Sequence, residues 1–265
     1  MLFRSVPSVM KVTPSKYCSS LIFAHKFFDG VTFITEGTRD ITERLIKRKF
    51  TDYRIYPSGF NKKIMKPMER DIKLCEELGI KKEESVIFYH GSISQNRGIK
   101  ELVEAVELLK KKNKVKLLVI GSGDIEIIKL IKKQKENIFL DVVSYNEIPK
   151  YISIADVCVS PLPDILWWRI ASSLKVIEYM ACGKPIALTR MKAHTDVLPK
   201  ESKGISYFER VTPEEIAEAI WKILNDKERF NFEAKNLHTH AINNFTYDSI
   251  AKKLLEYYKS LYNNY

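Results

Sequence analysis

From residue 85 the chain alternates six short apolar runs with amphipathic stretches, and this alternation limits the fold more than any other feature of the sequence. The runs are SVIFYH (85–90), VKLLVIG (115–121), NIFLDVV (137–143), ADVCVSP (155–161), PIALT (185–189) and GISYF (204–208). Helix-like segments lie between them at 98–112, 124–135, 147–154, 172–182 and 192–198. A strand wetted on one face alternates polar and apolar residues, whereas these runs are apolar almost throughout, so both faces are covered. Strand, helix and strand in succession then give parallel neighbours joined by crossover helices. The expected fold class is α/β, a doubly wound, parallel, Rossmann-like sheet.

The ends of the chain read differently. A helix near 16–28, a strand at 30–35, a helix at 37–49 and a strand at 53–57 running into SGFN make part of a second α/β layer. After residue 210 come three helices, at 213–225, 227–243 and 247–262; Thr212, Pro213, Glu214 and Glu215 open the first with a cap, a first-turn proline and acidic residues on the positive end of the dipole. The expected division is 1–65, 66–225 and 226–265, the last helices packing back on the first part. Some 65 residues fall short of a doubly wound domain of roughly 100, so the first part reads as incomplete.

Composition narrows the function classes. With 265 residues and 45% apolar content the chain can bury a sizeable core. No apolar run approaches the ~20 residues that span a bilayer, and residues 1–16 have no signal-peptide core; the expectation is a cytoplasmic protein. Of the net charge of +11, +8 falls in residues 1–70, which suits an anionic surface such as the cytoplasmic membrane face or equally a solvated basic face. Nucleic-acid binding has charge behind it and no motif. Cys18, Cys75, Cys158 and Cys182 are too dispersed for a metal site and read as reduced, mostly buried thiols. His238 and His240, two apart on a helix, point to different faces and read as surface histidines.

Ligands of such sheets bind beyond the carboxyl ends of the strands. Three loops there, HGSISQNRG (90–98), GSGD (121–124) and the segment 161–173, carry small residues and free backbone donors suited to phosphate. The last leads into SSLKVIEYMACGKPIA (172–187), where Ser172 or Ser173 can cap a helix, Leu174, Ile177 and Ala181 form its buried stripe, and Gly183 with Pro185 ends it. Nothing in that local logic requires Lys175 or Glu178. A surface Lys–Glu pair, worth a few tenths of a kcal/mol, is the ordinary alternative to a role in the cleft.

Together, GSISQNRGIKELVEAVELL, LLVIGSGD, IPKYISIADVCVSPLPD and SLKVIEYMACGKPIALT resemble, in order and spacing, the nucleotide-sugar-binding domain of family 4 retaining glycosyltransferases of the GT-B fold. FDGVTFITEGTRDITERL followed by IYPSGFN is similar to the segment that closes that family's acceptor domain. The resemblance implies that Glu178 holds the ribose hydroxyls of a UDP- or GDP-linked donor and that Arg97, before Gly98, neutralises the diphosphate. Gly91, Ser92, Tyr145 and Lys175 would complete the nucleotide site, with Asn146 beside the base and His194 near the phosphates, unless it caps a helix or faces solvent. No metal or cofactor is implied, the nucleotide sugar being substrate.

Two positions depart from the family. Ser92 stands where an arginine is expected, leaving Arg169 and Lys175 as substitutes, and Ile170 stands where the first of a glutamate pair would touch the sugar. Asp164, Arg169, Ser173, Trp167 and Trp168 are candidate replacements for sugar or phosphate contacts, one tryptophan being as well suited to the core. The implied function is a hexosyltransferase acting with retention on a lipid-linked or polysaccharide acceptor, with an N-terminal portion encoded separately or upstream; a nucleotide-sugar-binding module without turnover is the alternative. A dinucleotide-dependent oxidoreductase, suggested by VIGSGD, lacks the third glycine and follows the second strand.

Overall fold

The computed structural model describes residues 30–200 and 202–262. Their strands are β1 (Val31–Phe33), β2 (Tyr53–Ile55), β3 (Ser85–His90), β4 (Val115–Ile120), β5 (Ile138–Leu140), β6 (Val157–Ser160), β7 (Ile186–Thr189) and β8 (Ile205–Phe208). Their helices are α1 (Glu36–Ile46), α2 (Ile72–Glu77), α3 (Ile99–Lys110), α4 (Ile125–Lys133), α5 (Ile148–Ser153), α6 (Leu166–Arg169), α7 (Leu174–Ala181), α8 (Lys192–Thr195), α9 (Pro213–Asn225), α10 (Lys227–Phe245) and α11 (Tyr247–Tyr262). A single 3₁₀ turn spans Gln95–Arg97.

Six strands form one parallel sheet in the order β5-β4-β3-β6-β7-β8, while β1 and β2 pair in a separate parallel ribbon. Counted from β3, the order is the 3-2-1-4-5-6 of doubly wound nucleotide-binding sheets, with the winding reversing between β3 and β6. All six runs expected as strands are strands, and the register is continuous from Ser85 opposite Val115 to His90 opposite Ile120.

Alternate side chains of each strand enter opposite layers, as the period of two requires. Val86, Phe88, Leu118, Ile120, Cys158 and Ile186 pack with Val176, Ile177, Met180 and Leu237 from α7 and α10. On the other face Ile87, Tyr89, Leu117, Val119, Val157 and Ala187 pack with Leu102, Val106, Ile131, Ile216 and Ile220 from α3, α4 and α9. Each Val, Leu, Ile, Phe or Met among them, wholly withdrawn from water, contributes about 1.5–3 kcal/mol of transfer free energy.

Local signals set most helix ends. Asp124 accepts from the amides of Glu126 and Ile127 at the start of α4, and Thr212 accepts from Glu215 at α9. The stretch 172–182 is a helix, but its expected details change. Neither serine caps it: Ser173 Oγ donates to the Ala193 carbonyl at 2.9 Å, and Ser172 Oγ accepts from the Ser58 amide at 3.2 Å. Leu174 is 38% exposed, leaving Ile177 and Ala181 as the buried stripe. The segment expected as a helix over 192–198 stops at Thr195, and α2 and α6 have no counterpart in the sequence reading. The helix expected at 16–28, and Cys18, lie outside the described residues.

At the far end of the chain, the Tyr257 hydroxyl accepts from the Val31 amide at 3.2 Å, and Arg54 lies over the Tyr257 ring at 4.7 Å. Phe60 bridges to Thr246. No helix among the described residues is long and apolar enough to cross a membrane.

Candidate functional site

The carboxyl ends of β3, β4 and β6 converge where the winding reverses, and their loops approach each other by backbone. Gly91, Gly121 and Gly123 have φ of +122°, +153° and +148°. A side-chain carbon at Gly121 would collide with the Gly91 carbonyl, and one at Gly123 with the Ile93 carbonyl. Glycine is needed there both for conformation and for room. Gly98 (φ +68°) lies equally close to the Pro161 carbonyl, which fixes the turn carrying Arg97 against the end of β6.

Glu178 is not half of a surface pair. It is 3% exposed, and its Oε2 lies 3.3 Å from His90 Nε2 at the end of β3. His90 Nε2 is buried with no hydrogen-bond partner, its ring stacks on Phe88, and its amide donates to the Tyr179 hydroxyl at 3.3 Å. A carboxylate so enclosed retains acceptor capacity, because His90 meets one oxygen without the alignment of a hydrogen bond. Tyr145 is 38% exposed; burial, then the Glu178 carboxylate and Tyr247, raise its phenol well above the ordinary value.

Lys175, one helical turn before Glu178, crosses to β3. Its Nζ donates to the Tyr89 hydroxyl at 3.3 Å, lies 4.5 Å from the centre of the Tyr89 ring and passes beside Gly91. The Tyr89 hydroxyl in turn donates to the Ser92 carbonyl at 2.9 Å. The ammonium is thereby placed at the loop where Ser92 stands exposed.

Arg97 is half-buried, with its guanidinium 4.5 Å from the centre of the Trp168 ring. The Trp168 indole N–H donates to the Asn96 carbonyl at 2.8 Å, and its ring packs on Leu162, Met191 and Ala193. Neither Arg97 nor Lys175 has a carboxylate partner among the described residues.

Several expectations change here. Arg169 and Asp164 hold each other through two hydrogen bonds, of 2.6 and 2.9 Å, so each already has a charged partner. Trp168 offers its face to Arg97. Ile170 packs on Gly37, and its carbonyl accepts from Thr35 Oγ1 at 2.8 Å, so this position ties α1 to α6. His194 neither caps a helix nor faces solvent: it is wholly buried, with Nδ1 2.8 Å from the Thr189 carbonyl and Nε2 3.0 Å from Ser160 Oγ. Burial lowers its imidazole to about 4, so near neutrality Nδ1 donates to Thr189 and Nε2 accepts from Ser160. His238 and His240 are half-buried, bonded to the carbonyls of Ala181 and Val197 at 2.7 and 3.2 Å.

His90 and Tyr89 escape sequence reasoning because they end an otherwise apolar strand; a histidine closing such a run, directly before a glycine loop, was the available signal. Cys75, Cys158 and Cys182 are buried free thiols. Among the described residues no group of three or more His, Cys, Asp or Glu is placed to hold a metal ion. A cavity of about 580 Å³ between β2, α10 and α11, lined by Tyr56, Phe245 and Tyr257, takes no residue from the three loops.

Comparison with known proteins agrees with this geometry. An uncharacterised glycosyltransferase of Methanocaldococcus jannaschii is 24% identical over 196 residues, covering 72% of this chain and 49% of its own. The lipopolysaccharide 1,2-N-acetylglucosaminetransferase of Salmonella typhimurium is 24% identical over 219 residues, 78% of this chain and 56% of its own. The alpha-monoglucosyldiacylglycerol synthase of Acholeplasma laidlawii is 26% identical over 213 residues, 75% and 51% respectively. The chain thus spans about half the length of the curated relatives it matches. Among solved structures, Anabaena HepE in complex with UDP superposes with a TM-score of 0.79 at 16% identity, over 94% of this chain and 68% of that one. Sucrose-phosphate synthase of Thermosynechococcus elongatus superposes at 0.74 and 21% identity, over 93% and 62%. The profile of the family described as glycosyl transferases group 1 matches residues 84–226, which is more than half of the sequence, and the chain belongs to that family.

Proposed function

We propose that the protein is a hexosyltransferase that takes its sugar, with retention, from a UDP- or GDP-linked donor bound at the carboxyl ends of β3, β4 and β6. The observation that carries this reading is a pair of cations, Arg97 and Lys175, held on aromatic faces without a carboxylate partner, Lys175 one helical turn from the buried carboxylate Glu178, in a member of a glycosyltransferase family. As the bond from the sugar to the diphosphate breaks, negative charge grows on the leaving phosphate. Arg97 meets it with a planar fork of donors and Lys175 with a point charge at the place left by Ser92. Glu178 accepts from the ribose hydroxyls, with His90 at its other oxygen. Tyr145 and Asn146 border the base, and Gly91 lets the backbone come close to phosphate. The Asp164–Arg169 pair shapes the rim toward the hexose, while buried Ser173, its hydroxyl on the Ala193 carbonyl, supports the start of α7. The nucleotide sugar is substrate in this reading, and no cofactor is invoked.

The matched HepE structures hold UDP, with glucose or as UDP-glucose, which favours a uridine donor. The relatives named for lipopolysaccharide and diacylglycerol favour a lipid-linked or polysaccharide acceptor, met at the cytoplasmic face of the membrane with an N-terminal portion completing the acceptor side. The test is release of nucleoside diphosphate from a panel of UDP- and GDP-linked hexoses, with the anomer of the product read by NMR. Release that depends on Arg97 and yields the donor's own anomer supports the proposal. No release from any donor, with acceptors and an N-terminal portion supplied, contradicts it.

A further inference from the structure

We propose that Trp168 is a positioning residue that holds the Arg97 guanidinium in place for a diphosphate, an inference resting on the donor reading above. Apart from Lys175, which rests on Tyr89, three basic side chains at this end of the sheet are neutralised by carboxylates: Arg169 by Asp164, Arg190 by Glu209 and Lys192 by Asp196. Arg97 is instead held by a ring face. An ion pair would consume the donors and the charge of the guanidinium, while a stacked ring restricts its rotation and leaves the in-plane N–H groups free.

The ring is itself fixed from two sides. Its N–H bonds to the carbonyl of Asn96, the residue before Arg97, and its body packs on Leu162, Met191 and Ala193. The turn and the ring that carries its arginine therefore move as one piece, anchored further by Gly98 against the Pro161 carbonyl. A tryptophan that merely covers the small apolar cluster would satisfy that cluster in many orientations. The indole bond to Asn96 selects an orientation that leaves a face under Arg97. Preordering a flexible cation reduces the entropy lost when an anion binds.

The experiment is calorimetric titration of UDP and GDP, and of uridine and guanosine, into the whole chain and its Trp168→Phe, Trp168→Leu, Arg97→Ala and Arg97→Ala/Trp168→Leu variants. Trp168→Leu is expected to weaken diphosphate binding about three- to tenfold and leave nucleoside binding unchanged. Trp168→Phe, which keeps a ring but loses the N–H that orients it, should give a smaller loss of the same kind, for the diphosphate alone. In the Arg97→Ala background, Trp168→Leu should add nothing. Equal weakening of diphosphate and nucleoside, or a full additional loss in the double variant, overturns the proposal while leaving the donor reading in place. If Trp168→Leu does not fold, an unchanged ratio of diphosphate to nucleoside affinity in Trp168→Phe together with additivity in Arg97→Ala/Trp168→Phe overturns it equally. Absence of any nucleotide binding by the unaltered chain removes the donor reading and this proposal with it.

Discussion

Two groups of charges at opposite ends of the six-stranded sheet are handled in opposite ways. At the amino end, Asp156 accepts from the Val86 amide and Lys227 Nζ, each at 2.8 Å, and from Arg70 at 3.2 Å, and Lys227 also reaches Ser85 Oγ. Lys184, whose burial lowers its basicity, donates to the carbonyls of Ser153 and Ala155. Each of these charges has a partner within the fold. At the carboxyl end Arg97 and Lys175 rest on Trp168 and Tyr89, and Glu178 is shut in beside a histidine nitrogen with no hydrogen bond. The first group closes the fold; Arg97, Lys175 and Glu178 are held in orientation without being neutralised, as a site for a charged ligand requires.

Substitutions at the two ends should therefore separate stability from binding. The largest effect is expected from Asp156→Ala, which leaves Lys227, Arg70 and the Val86 amide without their acceptor. Breaking such a pair costs about 3 kcal/mol, read as a lower urea midpoint, with nucleotide affinity of the folded protein unchanged. An equal loss of affinity would dissolve the contrast.

His194 provides a second test, from beneath the site. Its imidazole is lowered to about 4 from an ordinary 6.5, chiefly by burial. The unfolded chain takes up this proton below pH 6.5, and the folded protein only near pH 4. Stability is therefore fully present above pH 6.5 and falls by about 3 kcal/mol as pH drops through that window. Thermal denaturation of His194→Gln against the unaltered protein should show a flatter acid limb; superimposable limbs would mean that the histidine is solvated.

These two predictions also show what the sequence could and could not reveal. The strands and long helices were legible because burial on two faces imposes continuous apolar runs and a 3.6-residue stripe, both local properties. Glu178 and Arg97 were singled out through the family resemblance, which places one within a helix and the other before a glycine, and not through any local rule. The depth of His194 was not, since its partners Ser160 and Thr189 come from two different strands. Ser172 and Ser173 have the composition of caps, but their hydroxyls are taken by Ser58 and Ala193 from distant segments. α6 is four residues long and carries no stripe, so neither its helical form nor the use of Trp168 as a platform left a periodic trace.

At the carboxyl end itself, Glu178→Gln keeps the shape and removes the charge. It should weaken both nucleoside and nucleoside diphosphate by about tenfold or more, the scale of a hydrogen bond to a charged acceptor, with little change in urea midpoint. Lys175→Met, the smallest effect, keeps the packing over Tyr89 and should weaken the diphosphate alone, by about threefold for a partly solvated cation. A nucleoside effect as large as the diphosphate effect would place the ammonium elsewhere.

The central claim is that one crevice holds a diphosphate at Arg97 and a ribose at Glu178. Its most direct test is paired calorimetry of UDP and uridine on the unaltered chain, Arg97→Ala and Glu178→Gln. Arg97→Ala should lose affinity for UDP but keep it for uridine, and Glu178→Gln should lose affinity for both. Identical losses for the two ligands in Arg97→Ala, or uridine binding untouched in Glu178→Gln, would contradict it.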